Sequence, residues 1–110
     1  MDLHLGTAAI LIDPPDARVR LRGELDFATA PTMAAQFDEA VAFGCREFRV
    51  NLAEVSFCDA STVRLLLGLE RQLTAVGGTL DIEAPSPCVQ RVFTLVGLGG
   101  MLDGVSEPAL

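Results

Sequence analysis

Lysine, tyrosine and tryptophan are absent from this 110-residue sequence, and His4 is its only histidine. All eight positive charges are therefore arginines. Without lysine there is no Schiff-base or lysine-base chemistry. With one histidine, the side chain most used for proton transfer is almost missing. The inventory is poor for an enzyme and predicts no catalytic residues and no cofactor. Cysteines are few: Cys45, Cys58 and Cys88. Their number is odd, their spacing is wide, and no CxxC or Cys/His cluster exists, so a metal site is not expected. They read as reduced, mostly buried thiols of a reducing compartment. No apolar run reaches the roughly 18 residues of a membrane span, and Arg64 interrupts the richest segment. No basic region followed by an apolar run marks the N-terminus, so a secretory leader is not expected. Together these absences predict a soluble, cytoplasmic protein with no direct membrane insertion. The net charge of −7 argues against nucleic acid and anionic lipid surfaces. Protein partners, above all ones with basic patches, remain.

Half of the residues are apolar, enough to offset the ordering entropy of one small domain. Residues 1–110 read as that single domain, with no repeat and no linker. Residues 7–12 read as a strand, and Pro14-Pro15 force a turn. Residues 17–23 alternate: Ala17, Val19 and Leu21 face one side, Arg18, Arg20 and Arg22 the other, which is a strand with one wet face. Residues 30–43 carry a helical stripe of Ala30, Met33, Ala34, Phe37, Ala40 and Val41. Thr29 is its expected N-cap and Gly44 its C-terminal stop. Residues 47–52 alternate again, with Phe48, Val50 and Leu52 inward. Residues 61–76 form a second helix on Leu65, Leu66, Leu69, Leu73 and Val76, ended by Gly77-Gly78. Residues 79–84 are a strand with Leu80 and Ile82 inward. Ser86-Pro87 opens a third helix that runs through Val89, Val92, Phe93 and Val96 to Gly97. The tail, 99–110, is weak in pattern and is expected to fray.

The order β-β-α-β-α-β-α predicts an α/β fold: a mixed sheet of about four strands with helices on one face and water on the other. Right-handed crossovers that keep the helices on one face make strands two, three and four parallel neighbours. The first strand then lies antiparallel beside the second. The wet face is expected to balance Arg18, Arg20, Arg22 and Arg49 against Asp81 and Glu83.

Three segments carry a resemblance to the STAS domain of bacterial anti-sigma-factor antagonists. The first is Gly23-Glu24-Leu25-Asp26 with Thr29-Ala30-Pro31. The second runs from Val55 to Thr62 through Phe57, Cys58, Asp59, Ala60 and Ser61. The third is Gly77-Gly78-Thr79-Leu80, then Pro85 and the helix through Val92 and Leu95 to Gly97-Leu98. The resemblance covers essentially the whole chain in order. It implies a regulatory binding protein. The partner would be an anti-sigma factor that is also a serine kinase, captured by the unmodified protein and released once a serine is phosphorylated. A phosphatase would reset the switch. Carried over, the Asp-x-Ser element is Asp59-Ala60-Ser61, and Asp26 resembles an acidic position of the partner-binding edge. The chain departs from the family at Ala60, commonly Ser or Thr, and at Thr62-Val63, commonly Gly-Leu.

Ser61, near a helix start, reads either as a structural cap or as the phosphorylated serine. Thr62 is a helix cap or a second acceptor. Asp26 braces the turn into the first helix or faces the partner. Asp59 adds negative charge beside the hydroxyl. Val63 and Leu67 are core, or, if exposed, the apolar centre of a docking surface. Cys58, beside an acidic neighbour and without a histidine, reads as an inert thiol. Gly97-Leu98-Gly99-Gly100 follows a helix rather than a strand, so it is no phosphate loop. The second functional reading is a constitutive STAS accessory subunit of a lipid-transport or signalling scaffold complex, without a kinase. A monomer is the expected free state.

Overall fold

The computed structural model describes residues 6–103. The chain runs β1 (Thr7–Asp13), β2 (Asp16–Leu25), α1 (Ala30–Ala42), β3 (Glu47–Cys58), α2 (Ala60–Ala75), β4 (Thr79–Glu83), α3 (Pro87–Leu95) and a short α4 (Gly100–Asp103). β1 pairs antiparallel with β2, and β2, β3 and β4 are parallel neighbours, so the sheet order is β1-β2-β3-β4. The mixed four-stranded sheet is thus the one expected from the alternating patterns. Ala17, Val19 and Leu21 of β2, Phe48, Val50 and Leu52 of β3 and Ile82 of β4 are buried beneath the helices. Arg18, Arg20, Arg22 and Arg49 lie exposed on the opposite face.

β3 extends to Cys58, well past the residue where its alternation breaks. Two register shifts against β2 explain the break, one between Arg20 and Arg22 and one between Gly23 and Glu24. Each bulge inserts an extra residue on β3, so the inward positions become Leu52, Val55 and Cys58, three apart instead of two.

α1 and α2 end alike. Cys45 N–H donates to the Ala40 carbonyl and Gly44 N–H to that of Val41, at 3.0 and 2.9 Å. Gly78 N–H donates to Leu73 and Gly77 N–H to Thr74, at 2.7 and 3.2 Å. This is the paired Schellman closure, and Gly44 and Gly77 hold the φ values it requires, +103° and +80°. Val76 belongs to the C-cap of α2 and is half exposed rather than core. Val96 is likewise exposed at the end of α3.

Three details differ from the pattern read in the sequence. Past residue 99 the chain forms α4, and Met101 and Leu102 pack against the core. Residues 104–110 and His4 lie outside the described residues. The wet face carries Asp81 and Glu83 beside its arginines, as expected, but among the described residues its ion pair is Arg22 to Glu54, at 2.6 Å. Arg49 lies opposite Asp81 in register but outside ion-pair distance. Thr29 stands at the N-cap of α1 but makes no side-chain cap hydrogen bond; its hydroxyl is engaged with Asp26 in the preceding turn, described next.

Candidate functional site

Leu25 and Cys58 are register partners at the ends of two adjacent parallel strands. Asp26 and Asp59, the residues that follow them, therefore leave the sheet at the same end. Asp26 opens the turn into α1, and Asp59 starts α2. Asp26 Oδ1 accepts from Ala28 N–H and Thr29 N–H at 3.0 and 3.1 Å. Thr29 Oγ1 accepts from Asp26 N–H in return, at 3.0 Å. This reciprocal pair braces the turn of residues 26–29 that leads into α1. Asp59 is the N-cap of α2, and its carboxylate accepts from Ser61 N–H at 2.8 Å.

Ser61 is the second residue of α2 and is only 8% exposed. Its Oγ accepts a long hydrogen bond, 3.4 Å, from the Arg64 guanidinium one turn on. Ser61 is thus not itself the cap, because Asp59 already holds its N–H. The adjacent Thr62 is 1% exposed, and its hydroxyl donates to the Leu25 carbonyl at 3.1 Å. That bond ties the start of α2 to the last residue of β2. It commits the hydroxyl to a tether between α2 and β2 rather than to a helix cap. Val63 is buried in the core and offers no docking surface, because the first turn of α2 is pulled down onto the sheet end by Thr62. Leu67 is half-buried.

The apolar surface at this edge comes from residues that the helical pattern could not flag. Phe27, which follows Asp26, is 76% exposed, and Phe57, two residues before Asp59, is 48% exposed. Phe27 lies in a turn, outside any periodic stripe. Phe57 faces out because the second bulge of β3 resets the alternation. An apolar residue in an outward register is the only sequence signal, and it is legible once the bulge is known.

Beneath the edge, Cys58 donates to the Cys88 carbonyl and Cys88 to the Val55 carbonyl, both at 3.4 Å. Burial, then the neighbouring Cys88, then the Asp59 charge push the Cys58 thiol up to about 12. It stays protonated at neutral pH and is a poor nucleophile. Among the described residues no group of three or more His, Cys, Asp or Glu side chains is placed to hold a metal ion. None of the described helices is long and apolar enough to cross a membrane. The concavity of about 520 Å³ on the open sheet face is lined by Arg18, Arg20, Arg49, Asn51 and Glu83 and lies apart from Ser61.

A family model described as "Mlab, STAS domain" matches residues 9–103. The chain is 38% identical over 94 residues to an anti-sigma F factor antagonist of Lysinibacillus sphaericus, covering 84% of this chain and 80% of that protein. Its fold is similar to the unphosphorylated anti-sigma factor antagonist SpoIIAA, with a TM-score of 0.79 and 31% identity over 93% of this chain and 90% of that one. It is also similar to the phosphorylated form of the Bacillus cell fate determinant SpoIIAA, with a TM-score of 0.72 and 29% identity, covering 93% of each chain.

Proposed function

The chain belongs to the STAS-domain family, and from that premise we propose that it is an anti-sigma-factor antagonist whose binding edge is Asp26, Phe27, Phe57, Asp59 and Ser61. It is a regulatory binding protein that acts in the cytoplasm. In its unmodified state it captures an anti-sigma factor, one chain to one, and frees the sigma factor. The partner is also a serine kinase. Ser61 Oγ attacks the γ-phosphorus of ATP, the β–γ bridging bond breaks, ADP leaves, and a base on the kinase takes the hydroxyl proton. A phosphatase hydrolyses the ester and restores the serine.

The observation that carries this reading is the pairing of Ser61 with a pre-built acidic edge. Asp59 already stabilises the helix start, so Ser61 Oγ is free of any capping duty. A phosphate there adds about −1.5 to −2 charges at neutral pH and leaves the fold intact. A partner surface fitted to a neutral hydroxyl would have to bury that charge unmatched. Leaving one buried charge uncompensated costs roughly 3–5 kcal/mol, whereas a hundredfold loss of affinity needs only about 2.7 kcal/mol. The relatives carry antagonist names, which favours this reading over a constitutive accessory subunit.

The test is a pull-down from the native cytoplasm with wild type, Ser61→Ala and Ser61→Asp, and mass spectrometry of the Ser61 peptide. Wild type and Ser61→Ala should retain a kinase-type anti-sigma factor, Ser61→Asp should lose it, and phosphate should appear on Ser61. Equal retention of the same transporter or scaffold subunits by all three, with Ser61 unmodified, refutes it.

A further inference from the structure

Arg64 is exposed and places its guanidinium 3.4 Å from Ser61 Oγ. The two residues are three apart on α2, so they lie on one face, and a helical side chain leans back toward the N-terminus. Among the described residues Arg64 has no carboxylate within ion-pair distance. Asp38 lines the same shallow groove between α1 and α2 without reaching it. The guanidinium is therefore uncommitted.

A phosphate on Ser61 would meet a crowded negative site. The Asp59 carboxylate occupies the Ser61 N–H, so the new group cannot take that donor and faces a like charge instead. Asp26 follows β2 at the same end of the sheet and is committed to its own turn. Arg64 is the cation already in contact with the atom that would be esterified. Its planar fork suits bidentate pairing with phosphoryl oxygens, which lysine cannot reproduce.

We propose that Arg64 is the built-in counter-ion of phosphorylated Ser61, turning its weak contact with the hydroxyl into a charge-assisted clamp on the phosphate. The clamp rests on Ser61 being the modified residue. It holds the phosphate against its own helix and spares the domain the repulsion from Asp59 and Asp26. It also consumes the guanidinium, so modification changes the edge twice: a dianion arrives and a free cation is withdrawn. Arg64 acts here as a positioning residue on the modified state.

The test uses full-length protein carrying phosphoserine at position 61, installed during translation, so no kinase need be identified. Phosphorus NMR follows the second ionisation of the phosphate, ordinarily near pH 6, in wild type, Arg64→Gln and Arg64→Lys. In wild type the midpoint should lie below that of the urea-unfolded protein, by about half a unit to one unit for an exposed opposite charge. Arg64→Gln should raise it to the unfolded value or above, because Asp59 then acts alone, and Arg64→Lys should recover part of the shift. Circular dichroism confirms that each variant is folded. A midpoint unchanged by Arg64→Gln, in folded protein, overturns the clamp. A native protein with no phosphate on Ser61 would instead sink the parent reading, whatever the midpoint does.

Discussion

With no lysine and no tyrosine in the sequence, the thiols are the side chains left to titrate between about pH 8 and 12. Alkaline unfolding therefore reads the environment of the cysteines almost without interference. The Cys58 thiol moves from an ordinary value of 9.0 to about 12, through burial first and then through Cys88 and Asp59. Burial also raises Cys45. A raised thiol pKa means that the folded state keeps a proton which the unfolded chain has lost. Stability is thus fully present below pH 9 and falls as pH rises toward 12. For one such thiol the slope is about 1.4 kcal/mol per pH unit between the unfolded and folded values. Urea unfolding followed by circular dichroism, in phosphine reductant at steps from pH 8 to 10.5, should show the loss. Cys58→Ala should start less stable but lose less per pH unit above 9. Equal slopes for wild type and Cys58→Ala would refute the assignment.

Asp59→Ala removes the N-cap of α2 and should cost about 1 kcal/mol, a fall in Tm of about 4–8 °C for a domain of this size, read by thermal melting. Thr62→Val keeps the shape but strands the buried Leu25 carbonyl; it should cost about 1–3 kcal/mol, whereas Thr62→Ser retains the bond and should cost less. Phe27→Ser and Phe57→Ser should leave stability within about 0.5 kcal/mol, yet each should weaken anti-sigma-factor binding tenfold or more in calorimetry, since exposed aromatics at the centre of an edge act as anchors.

The fold was legible because its signals are local and agree. Alternation in β2 and the first half of β3, the stripes of α1 and α2, and glycine at Gly44 and Gly77 all point to one sheet with one wet face. What sequence could not supply was register. The bulges of β3 fall where alternation fails, so the strand reads as ending at Leu52, and nothing in the sequence marks Phe57 as outward-facing. Caps were misread for a related reason. Thr29 suits the N-cap of α1, and only geometry shows that its hydroxyl is turned back to Asp26 in the preceding turn. Val63 follows the same logic: whether the first turn of α2 is lifted or pulled down depends on Thr62 reaching Leu25, a contact 37 residues apart in sequence.

The departures from the resemblance fall at one place, and on the proposed reading they bear on how the edge would work with Thr62 where a glycine is common. A glycine after the serine would leave the start of α2 free to adapt. Thr62 instead fastens it to β2 through the Leu25 carbonyl, and Val63 fills the core beneath. The edge is consequently pre-built, and a partner that docks on it loses little conformational freedom on the antagonist side. A rigid edge cannot answer phosphorylation by refolding, so the answer must be electrostatic. The Asp59 cap, already satisfied, and the uncommitted Arg64 are the two groups that set its size. If Ser61 is the phosphorylated residue, as proposed, a switch built this way would keep one fold in both states and change only the charge that its partner meets.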